Sequence, residues 1–105
     1  RLSEAESNRL TLLATIATRD DLRHTPAGIP AIECTLMHRS TQAEAGGERK
    51  VDCEMHAVAF GEVARQLSRV VAGSTLQCEG FLARRVRHVW ARMRAAVRPN
   101  RLQLV

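Results

Sequence analysis

The feature of this sequence that most constrains its fold is the order in which two apolar periodicities follow each other. Apolar residues recur at every second position from Asn8 to Thr18, from Ala31 to Arg39 and from Val51 to Phe60, the repeat of a half-buried strand. From Gly61 to Val71 the steps lengthen to three and four residues, which predicts a helix. Alternation returns from Ser74 to Leu82. The chain therefore begins with three strands, one helix and a fourth strand.

The same alternation predicts which side chains face the interior. The cysteines, three in number, all lie at inward positions, and we interpret them as small apolar core residues. Their odd number and wide spacing fit neither a disulfide framework nor a zinc site. The inward positions on the strands are Leu10, Leu12, Ala14, Ile16, Ile32, Cys34, Leu36, Val51, Cys53, Met55, Ala57, Ala59, Leu76 and Cys78, and on the helix Val63, Ala64, Leu67, Val70 and Val71.

Beyond Leu82 the pattern changes and positive charge accumulates. Val86, Trp90, Met93 and Val97 are spaced like one face of a helix, and arginines occupy the other face. A last strand is predicted at Leu102 and Leu104. Between residues 83 and 101 there is no carboxylate, and the basic side chains are Arg84, Arg85, Arg87, Arg92, Arg94, Arg98 and Arg101.

Three strands, a helix and two more strands is the order of the OB-fold, an all-β, five-stranded Greek-key barrel with one short helix between strands three and four. A chain of 105 residues holds one domain. We predict that residues 8–105 form it and that residues 1–7 are a loose leader. In this fold, the face of strands two and three and two of the loops hold oligonucleotides. The basic run 84–94 falls in the predicted loop between strands four and five, while Arg39, Arg49 and Lys50 flank the loop between strands two and three.

Composition narrows the function. Sixteen Lys and Arg residues stand against eleven Asp and Glu, giving a net charge of +5, and all the basic residues except Lys50 are arginine, whose planar fork suits phosphate. A polyanionic partner is therefore expected. No apolar run approaches the roughly 20 residues of a membrane span, and we predict a cytoplasmic protein.

The sequence offers no signature of catalysis or of a cofactor. The glycines at 46 and 47 lead to Glu48-Arg49-Lys50, which is not a phosphate-cradling loop. The cysteines at inward positions are not exposed nucleophiles. The four histidines, at positions 24, 38, 56 and 88, show no metal-ligand spacing. We predict a binding protein with neither metal nor cofactor.

The candidate nucleic-acid contacts are basic or flat side chains near the predicted groove, which would neutralise phosphates without reading sequence. Trp90 could stack on a base or anchor the core or a dimer. The run 84–94 could also be a solvated helix, a protein-docking surface or a membrane-surface helix. The candidates are Arg23, Arg39, Arg49, Lys50, Arg84, Arg85, Arg87, His88, Trp90, Arg92 and Arg94.

Other polar and aromatic residues carry different expectations. His38, between strand and loop, is expected to form local hydrogen bonds. Glu33 and Glu54 face outward and are expected to be solvated or paired with arginine. Phe60 and Phe81 could pack against the helix or a partner subunit.

Several short segments together resemble one bacterial family, the single-stranded-DNA-binding primosomal replication protein N. The resemblance spans about residues 8 to 85 and is most specific in the proline-glycine segment and His-Arg-Ser. The segments are Asn8-Arg9-Leu10, Leu22-Arg23, Thr25-Pro26-Ala27-Gly28-Ile29-Pro30, His38-Arg39-Ser40, Glu44-Ala45-Gly46 and Gly80-Phe81-Leu82.

The resemblance implies a homodimer of OB-folds that binds single-stranded DNA and assists the helicase that restarts stalled replication forks. It also implies that Arg39, Arg49 and the basic run contact DNA. Where better-known members have aromatic rings, this chain has Gly47 and Asp52. Without these rings, DNA binding would depend more on the arginines. A second interpretation is that the protein is chiefly an adaptor for other replication proteins.

Overall fold

Five long strands form a closed barrel in the computed structural model, which describes residues 6–99. The sheet order is β1-β5-β6-β4-β3-β2, and an additional pairing of β1 with β3 closes the ring. This confirms the predicted all-β OB-fold barrel with one short helix between the third and fourth predicted strands. The elements are β1 (Leu10–Arg19), β2 (Arg23–His24), β3 (Pro30–Glu44), β4 (Gly47–Phe60), α1 (Glu62–Leu67), β5 (Thr75–Arg85) and β6 (His88–Val97).

The barrel interior is built from aliphatic side chains of modest size. Its largest fully buried members include Ile16, Ile32 and Leu36, each contributing about 1.5 to 3 kcal/mol by leaving water. Buried Ala64 and Leu67 on α1 join the same cluster. The inward positions predicted on the first two strands are confirmed, because the members of those strands are buried or half-buried. No aromatic ring is among the buried core residues.

The segment predicted as helical after residue 85 is a strand. Val86 and Arg87 form a two-residue turn, and β6 then pairs antiparallel with β5 and parallel with β4. The helix-like spacing has two causes. Trp90 faces outward whereas Met93 faces the core, and Arg94 is an extra residue on β6, because Met93 pairs with Gly80 and Ala95 pairs with Glu79. Such a β-bulge interrupts two-residue alternation. β6 lies between β5 and β4 in the sheet, and the predicted strand at Leu102 and Leu104 lies outside the described residues.

Two side chains assigned to the core are exposed. Cys53 is inward by alternation, but the β3–β4 hairpin extends beyond the barrel at that level and nothing covers it. Val71 is 74% exposed because α1 ends at Leu67, four residues earlier. Alternation therefore predicted which side of β1, β3, β4 and β5 faces the interior, but not the point along the chain at which the core ends.

The predicted turn between the first two long strands is confirmed. The N–H of Gly28 donates to the carbonyl oxygen of Thr25 at 2.8 Å, with Pro26 at the second turn position. Gly28 has φ of +83°, a conformation that glycine adopts without strain. The turn brings β2 alongside β3, with Arg23 opposite Ala31 in register.

Asn8, two residues before β1, is hydrogen-bonded to β5. Its side-chain amide donates to the carbonyl oxygen of Leu82 at 2.8 Å, and its side-chain oxygen accepts from the Leu82 N–H at 2.9 Å. Two of the segments that carry the family resemblance, Asn8-Arg9-Leu10 and Gly80-Phe81-Leu82, thus meet in the sheet. The first five residues of the predicted leader lie outside the described part. Within residues 6–99, no helix is long and apolar enough to cross a membrane.

Candidate nucleic-acid interface

One side of the sheet formed by β3, β4, β6 and β5 points away from the barrel interior, and we call it the outer face. Register pairs place Val58 beside Arg92, and Arg92 beside Phe81. Two residues earlier on β6, Trp90 occupies the same side. Val58 is only 2% exposed although it lies outside the main core cluster. The outer face therefore has an apolar floor of its own.

Every aromatic ring of the chain's three Phe and Trp residues lies on this outer face with an arginine over it. The guanidinium carbon of Arg85 is 4.6 Å from the centroid of Trp90. Arg92 lies 4.9 Å from the centroid of Phe60, and Arg94 lies 4.7 Å from that of Phe81. At these distances cation–π attraction holds each arginine in place. We call these three pairs the ring-arginine cluster.

Trp90 is half-buried on the outer face and does not belong to the core. The imidazole of His56 stacks against its indole with 5.1 Å between centroids and 29° between planes. Together with Phe60, Arg85 and Arg92, the indole also lines a pocket of about 100 Å³. The core alternative for this residue is therefore excluded.

Glu33 is a carboxylate on the outer face, opposite Val58 in register. Its Oε2 accepts hydrogen bonds from Arg85 at 2.7 Å and from Arg23 at 3.0 Å. The Arg85 hydrogen bond is the largest influence that holds the pKa of Glu33 below its usual range, opposed by partial desolvation and reinforced by Arg23. The expected pairing of Glu33 with arginine is confirmed, and the turn before β3 is what brings Arg23 to it.

The basic residues of the β3–β4 hairpin are held differently. Arg39 and Asp52 are directly opposite in register, and their side chains form an ion pair at 3.4 Å. Arg49 pairs with Glu44 at 3.5 Å. Lys50 is two residues from Asp52 on β4 and therefore shares the side of Asp52 and of Arg39 opposite it. Arg49, next to Lys50, points to the other side. The structure does not bring all three predicted basic residues of this hairpin together.

The predicted basic loop is replaced by the tip of the β5–β6 hairpin. Arg87 and His88 are exposed at the tip, and Arg84 lies opposite Val89, on the side of the hairpin away from Trp90. Val86 begins the turn with φ of 60°, a strained conformation for a β-branched residue. Of the basic run 84–94, Arg85, Arg92 and Arg94 therefore lie on the outer face.

His38 forms local hydrogen bonds, as expected. Its Nδ1 is 2.8 Å from the carbonyl oxygen of Leu13 and must donate there, so in the neutral ring Nε2 accepts from the Ser40 hydroxyl at 2.7 Å. The amide of Gln42 donates to the same hydroxyl at 2.9 Å. These hydrogen bonds fix His38 against β1, and Arg39, the next residue on β3, points to the opposite side of the strand.

Sequence reasoning missed the parts played by His56, Phe60 and Phe81. Alternation contained the signal for all three, because each lies out of phase with inward neighbours such as Ala57, Ala59 and Gly80. What alternation could not provide is the register of β6 against β4, which places the rings side by side.

The buried thiols do not add chemistry to this site. Burial raises the pKa of Cys34 to about 12 and that of Cys78 to about 11, so both stay protonated at neutral pH. Across residues 6–99 no group of three His, Cys, Asp or Glu side chains is arranged to hold a metal ion. The chemistry of the outer face is stacking and charge.

An OB-fold barrel whose face combines rings with arginines defines a protein of the single-strand-binding class. The model described as "Another single-strand binding protein family" matches residues 8–94. The chain belongs to the replication restart protein PriB family. The PriB of Bordetella pertussis is 43% identical over 76 residues, 72% of this chain and 71% of that protein, and the PriB of Nitrosomonas europaea is 35% identical over 85 residues, 81% and 79% of the two chains.

Solved structures agree with this assignment. The structure of PriB from Ralstonia solanacearum superposes with a TM-score of 0.85 at 34% identity, covering 90% of this chain and 99% of that one. The crystal structure of the single-stranded DNA binding protein from Thermus aquaticus has a TM-score of 0.71 at 22% identity, covering 90% of this chain and 51% of that one. The second likeness shows the fold alone.

Proposed function

We propose that the chain binds single-stranded DNA across its outer face as an accessory protein of replication restart. The observation that carries this proposal is the ring-arginine cluster: the chain has three Phe and Trp rings, and each has an arginine over it on one exposed side of the barrel. Rings offer stacking surfaces to any base, and arginines neutralise phosphates, the combination that sequence-independent single-strand binding uses.

The proposed path runs from the ring-arginine cluster along β4 toward the β3–β4 hairpin. His56, Glu54, Asp52 and Lys50 follow each other on one side of β4, and Arg39 lies opposite Asp52. The six residue steps from His56 to Lys50 span roughly 20 Å at the rise of a strand. Arg39 and Lys50 would take phosphates at the far end, with Arg23, Arg87 and His88 as flanking contacts. Arg49 and Arg84 point away from this path, so we assign them no contact.

The test is fluorescence anisotropy of a labelled thirty-base single strand at two salt concentrations, with the matching duplex as competitor. We expect binding that weakens with salt, since each single-strand phosphate contact adds about 0.7 to the slope of log K against log salt. The duplex should compete poorly, because its bases are not free to stack. Absence of binding at low salt would overturn the proposal and leave the adaptor reading.

The partner interactions belong to the same proposal. The family resemblance implies a cytoplasmic homodimer that assists a restart helicase without catalysis or cofactor, and the name of the relatives supports the role in replication restart. The apolar side chains of Leu82, Val86 and Val89 on the β5–β6 hairpin are 39%, 89% and 56% exposed and offer a protein contact there. Sedimentation equilibrium tests the dimer: twice the chain mass is expected, and one chain mass would contradict it.

A further inference from the structure

Glu33 is held more tightly than any other carboxylate in an ion pair among residues 6–99. Its side chain is 28% exposed and that of Arg85 is 34% exposed, whereas both partners in the ion pairs of Glu44, Asp52, Glu62 and Glu79 are 46% exposed or more. One oxygen of Glu33 serves two arginines at once. Arg85, Glu33 and Arg23 together form a short, partly buried arginine-carboxylate-arginine bridge.

This bridge crosses the proposed strand path. Arg85 is on β5 and Glu33 is on β3, and the sheet order places β6 and β4 between them. The Arg85 side chain therefore reaches over the intervening strands toward Glu33, and its guanidinium carbon lies 4.6 Å from the centroid of the Trp90 ring. Trp90 borders Arg85 in one pocket, and it borders Glu33 and His56 in another of about 230 Å³. Arg85 thus covers part of the only Trp ring in the chain.

A carboxylate and a phosphate are alternative acceptors for the same arginine fork. While Arg85 and Arg23 donate to Glu33, those N–H groups cannot donate to a phosphodiester. A strand that stacks on Trp90 also needs the surface that Arg85 occupies. DNA and the Glu33 carboxylate therefore compete for Arg85, for Arg23 and for the surface of Trp90.

We propose that Glu33 is a built-in competitor of phosphate, which closes the outer face in the free protein and sets its affinity for single strands. This inference rests on the proposed function. When a strand binds, its phosphates replace the carboxylate on Arg85 and Arg23, and Trp90 becomes available for stacking. The lowered pKa of Glu33 agrees with this arrangement, since the carboxylate stays charged through the neutral range.

The experiment compares Glu33→Gln with Glu44→Gln in the anisotropy assay. Both variants gain the same unit of positive charge, but Glu44 pairs with Arg49, which points away from the outer face. We expect Glu33→Gln to tighten binding about fivefold at low salt and to steepen the salt dependence by up to about 1.4, the share of two added phosphate contacts. Glu44→Gln should change binding by less than about twofold. Equal effects of the two variants, or none from Glu33→Gln, would overturn the inference.

A second readout separates this inference from the proposed function. Because the chain has one Trp, its emission and its quenching by acrylamide report on the cover over that ring in the absence of DNA. Quenching should increase in Glu33→Gln and stay at the parent value in Glu44→Gln. If no variant binds DNA, the proposed function fails, and increased quenching would still support the cover over Trp90, whereas unchanged quenching would overturn it. If the parent binds and Glu33→Gln matches it in both readouts, the function stands and the inference fails. Glu33→Ala repeats both measurements should the glutamine variant not fold.

Discussion

The β3–β4 and β5–β6 hairpins both carry arginines, but they hold them by different interactions. On β3–β4, Arg39 and Arg49 pair with carboxylates, and their side chains are 78% and 66% exposed. On β5–β6, Arg92 and Arg94 lie over Phe rings, and Arg85 lies over Trp90 while it also pairs with Glu33. From residue 80 to residue 99 this hairpin region contains no Asp or Glu.

This difference shows that the group beside an arginine, a carboxylate or an aromatic ring, decides whether the arginine can bind phosphate. An exposed ion pair is worth about 0 to 1 kcal/mol, but a carboxylate beside the guanidinium cancels the positive potential that attracts phosphate. A ring fixes the guanidinium without cancelling its charge. The β5–β6 hairpin is therefore the stronger candidate for DNA contact, and the following experiments test that ranking.

The largest effect is expected at the base of the β5–β6 hairpin. A Cβ at Gly80 would overlap the carbonyl oxygen of Arg92, so Gly80→Ala must push β5 and β6 apart. We expect a loss of about 3 kcal/mol in the free energy of unfolding, measured by urea denaturation. The matched variant is Gly46→Ala in the β3–β4 turn, where φ is +79° and nothing lies within 4 Å of the added Cβ. It should cost about 1 kcal/mol. Equal losses would show that the strand approach at Gly80 can relax.

The next effect contrasts the arginines of the two hairpins directly. The double variant Arg92→Ala/Arg94→Ala should weaken single-strand binding by about 2 kcal/mol, roughly 30-fold in Kd, and lower the salt slope by about 1.4. Arg39→Ala/Arg49→Ala removes the same charge and should cost less than about threefold. Anisotropy titrations of both variants give the comparison. A larger loss from the second pair would reverse the ranking.

Removal of the indole tests stacking separately from charge. Trp90→Ala should weaken single-strand binding by about 1.5 kcal/mol, near tenfold in Kd, with an unchanged salt slope. Trp90→Phe keeps a ring and should retain most of the affinity. Parent-like binding by Trp90→Ala would mean that bases do not stack on this ring.

The β3–β4 hairpin can be made to resemble its counterpart by one substitution. Asp52→Trp removes the carboxylate opposite Arg39 and adds a stacking surface on the same side of β4. We expect tighter single-strand binding by about 1 kcal/mol, near fivefold in Kd. Asp52→Asn, which frees Arg39 without adding a ring, should recover less than half of that gain. No change in either variant would place this hairpin outside the DNA path.

The smallest effect concerns Glu33, which links the two hairpins. Its nearest charged groups are Arg85 and Arg23, and Asp20 and His56 line a pocket together with Glu33. Its pKa is lowered in the folded protein, so its contribution to stability is fully present above the ordinary value near 4.5 and is lost as pH falls through the lowered folded value. The side chain is partly exposed, so we expect less than about 1 kcal/mol. When the pH is lowered from 7 to 3, the urea midpoint should fall more in the parent than in Glu33→Gln.

Much of the barrel could be predicted from alternation, because in a strand the polarity of each residue indicates whether its side chain faces the interior or the solvent. Ile32, Cys34 and Leu36 are buried, and Glu33 and Thr35 between them are more exposed. The prediction failed for β6 because the bulge at Arg94 breaks the two-residue period and because Trp90, the largest apolar side chain, faces outward. Periodicity assumes that apolar residues face the core, and this strand departs from that assumption at the candidate site.

The candidate site was only partly predictable for a related reason. Composition identified the basic C-terminal region, and the outward phase of Glu33 was correct. The ring-arginine cluster depends on pairings between distant strands, such as Val58 with Arg92, which a single sequence does not contain. The pairing of Arg39 with Asp52 likewise depends on the register of β3 and β4.

The absence of rings from the core gives the protein an unusual optical property. All three Phe and Trp side chains lie on the outer face and the chain has no Tyr, so tryptophan emission and aromatic circular dichroism report on that face, whereas peptide circular dichroism reports on the barrel. A loosening of the outer face before the strands separate would appear as two denaturation curves that do not coincide. Unlabelled protein can therefore reveal local opening at the candidate site independently of global unfolding.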